Sequence, residues 1–96
     1  MTRVVVTDAA VGELRGLIAS HRLPEDTVER VQRSLRALEE FPELGAPLGG
    51  VFAGRRFLLG PWRWMIVIYR FDPDRDLVAV LAIVDGRTSS SPTANR

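Results

Sequence analysis

Residues Leu77 to Val84 read LVAVLAIV, eight positions without a polar side chain on either face of a strand. Such a run belongs in the interior of a sheet, flanked by other strands and covered by a second layer. Two more strand-like segments precede it, Arg55 to Leu59 and Trp62 to Phe71. Gly60-Pro61 separates the first pair and Asp72-Pro73-Asp74-Arg75-Asp76 the second, and connections this short predict antiparallel hairpins. The β-branched RVVVT at Arg3 to Thr7 predicts one more strand at the start of the chain.

Between the first strand and the other three the period changes. Val11, Leu14, Leu17 and Ile18 recur at helical spacing after Asp8, which reads as an N-cap, and predict a helix to about Ser20. HRLP interrupts it. Pro24 suits the first turn of a second helix, with Glu25 and Asp26 at the positive end of its dipole. Val28, Val31, Leu35 and Leu38 form that helix's apolar stripe, while Glu29, Arg30, Arg33, Arg36 and Glu40 mostly face outward. Phe41 to Gly54, with two prolines and four glycines, predicts a loop. The expectation is an α+β domain over residues 1–87, in the order βααβββ. A helical hairpin packs on one face of a small, mainly antiparallel sheet, and a patternless, disordered tail follows over 88–96.

Ninety-six residues allow one compact domain. Cysteine is absent, which excludes thiolate chemistry and favours a reducing, cytoplasmic setting. The N-terminal apolar run is too short for a signal peptide, and Trp64 to Tyr69 is far too short to span a membrane, so a soluble protein without a membrane partner is expected. All thirteen basic residues are arginines. Residues 1–44 carry six arginines and eight acids, net −2; residues 45–96 carry seven and four, net +3, which together give the net +1 of the chain. An arginine-only, positive second half suits phosphates and carboxylates, although a GC-rich genome yields the same bias.

On the Trp62 to Phe71 strand, alternation separates Arg63, Met65, Val67, Tyr69 and Phe71 from Trp62, Trp64, Ile66, Ile68 and Arg70. With helices over one face, the other becomes a partly exposed apolar surface fit for a partner; the alternative is that both tryptophans only complete the core edge. Arg55, Arg56, Arg63 and Arg87 each lie near a strand end, where several can converge on one rim to hold a phosphate or an acidic partner. Scattered, solvated arginines are the competing reading. Asp72, Asp74 and Asp76 begin like a calcium loop, but Leu77 and Ile83 stand where glycine and glutamate are required, so a hairpin turn is expected and no metal. Ser89, Ser90 and Ser91 lack a partner base, because His21, the only histidine, sits in the interhelical break, where it suits a helix C-terminus.

PELGAPLGG, GRRFLLG, WMIVIYRFDPD and VAVLAIVDGR, in that order from Val4 to about Ser89, resemble the RelE/ParE superfamily of toxins from type II toxin–antitoxin modules. The resemblance implies a cognate antitoxin as partner and no cofactor. Its RelE-like members cleave messenger RNA on the ribosome, and its ParE-like members poison DNA gyrase. Cleavage of RNA needs a base, an acid and cations at the phosphate. By this resemblance Arg55, Arg56, Arg63 and Arg87 would serve as the cations, Arg87 matching the family's arginine after the last strand. The sequence departs from the RelE-like pattern in three ways: no tyrosine or histidine follows Arg87, lysine is absent, and Arg63 stands six residues before Tyr69, farther than the usual arginine. A ParE-like toxin acting on gyrase is therefore the leading expectation, with Arg55, Arg56, Trp62, Arg63, Trp64 and Arg87 as target or antitoxin contacts. The runner-up is a RelE-like endonuclease using Arg56, Arg63 and Arg87, and the third is an inactive relative that only binds protein.

Overall fold

A computed structural model describes residues 1–87; Ser89, Ser90, Ser91 and the expected disordered tail lie outside the described residues. Strand β1 (Arg3–Val6) runs into helix α1 (Asp8–His21). The N-cap of α1 is Thr7 and not the expected Asp8. Thr7 is held extended because both its N–H and its Oγ–H donate to the Val80 carbonyl, at 3.1 and 2.9 Å, and its Oγ1 then accepts from the Ala10 N–H. The second helix also begins later than Pro24 suggests. Residues 24–26 form a turn whose Pro24 carbonyl accepts from the Thr27 hydroxyl at 2.6 Å, and α2 covers Thr27–Leu35. At Arg36 an i→i+3 hydrogen bond to Arg33 tightens the backbone and separates α3 (Ala37–Glu40). Val31, Leu35 and Leu38 face inward as their spacing predicts, but Thr27 takes the fourth inward place and leaves Val28 43% exposed.

Five strands form one sheet in the order β1-β5-β4-β3-β2, with β2 (Ala46–Pro47), β3 (Arg56–Leu59), β4 (Met65–Asp72) and β5 (Leu77–Asp85). Every pairing is antiparallel except that of β1 with β5. The apolar β5 lies inside the sheet, as expected. A bulge shifts the β4–β5 register, so Ile68 faces Ala82 while Tyr69 faces Val80. The extra residue changes the parity of β5, which lets Val78, Val80 and Ile83 all join the helix-side core with Met65, Val67 and Tyr69. Past the end of β1, the Ile83 N–H is taken up by Glu13 Oε1 of α1 at 3.1 Å.

The opposite face corrects the expectation of a partly exposed apolar surface. Ile66 and Ile68 are 5% and 4% exposed, because the 41–54 loop folds back over them. Leu48 and Phe52 pack there with Phe57, Ala82 and Val84. The segment that looks like a mere connector thus supplies Leu48 and Phe52 to a second, smaller core.

The placement of Trp62 and Trp64 within the strand is also corrected. They lie in a turn before β4, closed by bonds from the Met65 N–H to the Trp62 carbonyl and from the Gly60 N–H to the Met65 carbonyl. Strand alternation therefore does not separate their faces, and both indoles pack against the helix-side core.

Candidate functional site: an arginine-bearing rim around Trp64

The four candidate arginines do not converge on one rim. Arg63 sits in the turn that leads into Met65, and Met65 pairs with Asp85, two residues before Arg87, so these two share one end of the sheet. Arg56 instead pairs with Tyr69, four residues farther along β4 or about 13 Å at the usual rise per residue. Arg55 precedes it, donating from Nη1 to the Val51 carbonyl at 3.3 Å.

Arg56 and Tyr69 hold the loop over the second core. Tyr69 is fully buried and its hydroxyl oxygen accepts from the Gly45 N–H at 2.8 Å. Burial pushes the phenol above its ordinary pKa, against smaller opposing effects of that hydrogen bond and of Arg56, with Glu43 adding to the rise. Arg56 Nη1 donates to the Gly45 carbonyl at 2.8 Å, and its Nη2 lies 3.5 Å from Glu43 Oε2. Tyr69 is the only tyrosine of the chain.

The second pair is organised by Trp64 and by an acid that sequence reasoning did not single out. Asp85 ends β5 with its side chain only 12% exposed. Its Oδ1 accepts from the Arg87 backbone N–H at 2.9 Å and from Arg87 Nε at 3.0 Å. Its Oδ2 accepts from Arg87 Nη2 at 2.8 Å and lies 3.0 Å from His21 Nε2. These bonds, the Arg87 side chain's first, hold the Asp85 carboxyl far below the usual carboxylate range although burial opposes them, and the same pairing raises Arg87.

His21 ends α1, and its other nitrogen lies 2.8 Å from Ser20 Oγ. The imidazole stacks on Trp64 with centroids 4.6 Å apart and planes 12° apart, and the Arg87 guanidinium lies 4.9 Å from the same indole. Trp64 in turn stacks on Trp62 at 6.0 Å, and Arg30 of α2 lies 5.2 Å from the Trp62 ring. The tryptophans are thus flanked by protein groups, which ties α1 and α2 to the end of β5. The sequence holds a signal for part of this cluster, since Asp85-Gly86-Arg87 puts an acid two residues before a base at a strand end. It holds none for Arg30 or for the approach of His21.

No protein-family model matches the chain, and no curated protein matches it significantly. Solved structures do. The chromosomal ParDE system from P. aeruginosa superposes with a TM-score of 0.69 at 15% identity, over 88% of this chain and 96% of that one. The RelBE2 toxin–antitoxin complex from Mycobacterium tuberculosis gives 0.65 at 23% identity over the same shares. The YoeB/ParE toxin from Agrobacterium tumefaciens gives 0.67 at 18% identity, over 86% of this chain and 96% of that one. The chain has the RelE/ParE toxin fold. Within that fold, Arg63 and Arg87 occupy one end of the β4–β5 pair, whereas Arg56 is spent on the Gly45 loop. Among the described residues no helix is long and apolar enough to cross a membrane.

Proposed function

We propose that this protein is the toxin of a type II toxin–antitoxin pair, that it arrests growth by binding a macromolecular target, and that the target is DNA gyrase, as in ParE-like toxins. A cognate antitoxin neutralises it. The observation that carries this reading is the engagement of the only tyrosine and the only histidine of the chain. Tyr69 is buried under Gly45, and His21, the only histidine, has one nitrogen on Ser20, the other on Asp85 and its ring against Trp64. Two arginines remain at the surface of the same rim, Arg63 and Arg87. That arrangement suits charge-assisted binding better than acid–base cleavage of RNA.

Induced expression tests the reading. Growth arrest with intact messenger RNA and with loss of supercoiling by purified gyrase is the expected result. Arrest with ribosome-dependent cleavage of messenger RNA replaces it by the RelE-like endonuclease, and unchanged growth replaces it by a relative that only binds protein.

A further inference from the structure

Arg87 is held from three sides. Its backbone is placed by Gly86, whose N–H donates to the Trp64 carbonyl and whose position leaves no room for a side chain, since a Cβ there stands 2.7 Å from Ile66 Cγ1. One edge of its guanidinium, Nε with Nη2, is taken by the Asp85 carboxylate, and Trp64 flanks the group at 4.9 Å. A guanidinium has five N–H groups, and Asp85 uses two, so three point away from it. The side chain is 60% exposed. Asp85 is itself fixed, because its two oxygens accept from the backbone N–H, Nε and Nη2 of Arg87 and one of them lies 3.0 Å from His21 Nε2.

We propose that Asp85 is a positioning residue that fixes Arg87 with the outer edge of its guanidinium turned to a carboxylate of the protein target, and that His21 and Trp64 support it in that role. This rests on the reading above that Arg87 touches the target. The physical gain is pre-organisation: a free arginine loses rotamer freedom on binding, whereas this one has lost it on folding. The pin also keeps its charge, because the Asp85 carboxyl stays ionised throughout the neutral range.

Two measurements on the full chain test it. In the first, 15N NMR follows the Arg87 Nε–H in the wild type, Asp85→Asn and Asp85→Glu. The expected result is slow solvent exchange in the wild type, at least tenfold faster exchange in Asp85→Asn, and partial recovery in Asp85→Glu, with the backbone amide spectrum otherwise preserved. Equal exchange in wild type and Asp85→Asn overturns the pin whatever the protein's function. In the second, growth arrest is titrated at matched soluble levels for the wild type, Asp85→Asn, Arg87→Ala and the double variant. About a tenfold loss of potency is expected for Asp85→Asn, with the double variant no worse than Arg87→Ala, because a group that acts through Arg87 has nothing left to position. Full or increased potency of Asp85→Asn beside an inactive Arg87→Ala overturns the positioning role. Full potency of Arg87→Ala instead overturns the assignment of Arg87 to the target, and a wild type that fails to arrest growth overturns the toxin reading, with the NMR result still deciding the pin.

Discussion

Gly45 lies directly against the ring of Tyr69: its N–H donates to the phenol oxygen at 2.8 Å, and a Cβ on it would stand 2.8 Å from both that oxygen and Cε1 and 2.5 Å from the Phe57 carbonyl oxygen. Gly45→Ala therefore requires the backbone of the loop or of β3 to move, and the expected cost is about 1–3 kcal/mol in urea unfolding. Tyr69→Phe tests the same contact from the other side. It leaves the buried Gly45 N–H without an acceptor, at an expected cost of about 1–3 kcal/mol. An unchanged unfolding midpoint in both variants contradicts this account of the loop.

The second core makes a contrast between two residues three positions apart. Leu48 is 9% exposed over Ile66 and Ile68, while Val51 is 87% exposed. Leu48→Ala should lose about 2–5 kcal/mol, and Val51→Ala should stay within about 0.5 kcal/mol of the wild type. Equal effects in chemical denaturation argue that the 41–54 loop does not cover the sheet.

Asp85 gives the acid limb of the stability curve a definite sign. Its folded pKa is depressed, foremost by the Arg87 side chain, so the unfolded chain takes up the proton first, near the usual value of about 3.9. The contribution of Asp85 is present above that value and is lost progressively as pH falls below it. Between pH 5 and pH 2 the wild type should lose more stability than Asp85→Asn, read from thermal unfolding midpoints. Parallel curves for the two proteins contradict the strength of the pin.

The two halves of the arginine set should separate in function. Arg56→Ala removes the hydrogen bond to the Gly45 carbonyl and the contacts with Glu43, and an expected loss of about 1 kcal/mol accompanies it. Arg63, exposed in the turn, should be replaceable by alanine within about 0.5 kcal/mol while growth arrest weakens severalfold. Undiminished arrest in a stable Arg63→Ala variant takes Arg63 out of the target contact.

The periodic parts of the chain declare themselves in sequence. Val31, Leu35 and Leu38 mark their helical face, and LVAVLAIV marks the interior strand, because burial imposes a period on residues that share one element. What stays hidden depends on partners far along the chain. Thr7 outranks Asp8 as a cap only because Val80 holds it, and Trp62 and Trp64 leave the strand pattern because a turn closes on Met65. His21 reaches Asp85 across 64 positions, and the loop around Leu48 covers the sheet without any repeat of its own. The Arg63 and Arg87 end of the rim follows from the antiparallel hairpin of the last two strands. The separation of Arg55 and Arg56 from it needs the register of β3 on β4.

The most direct measurement of the central claim is growth on induction of the wild type and of Arg87→Ala at equal soluble levels, in cells without the antitoxin. Arrest by the wild type with intact messenger RNA, and growth with Arg87→Ala, are the expected results. Growth unaffected by the wild type, or arrest undiminished in Arg87→Ala, contradicts it.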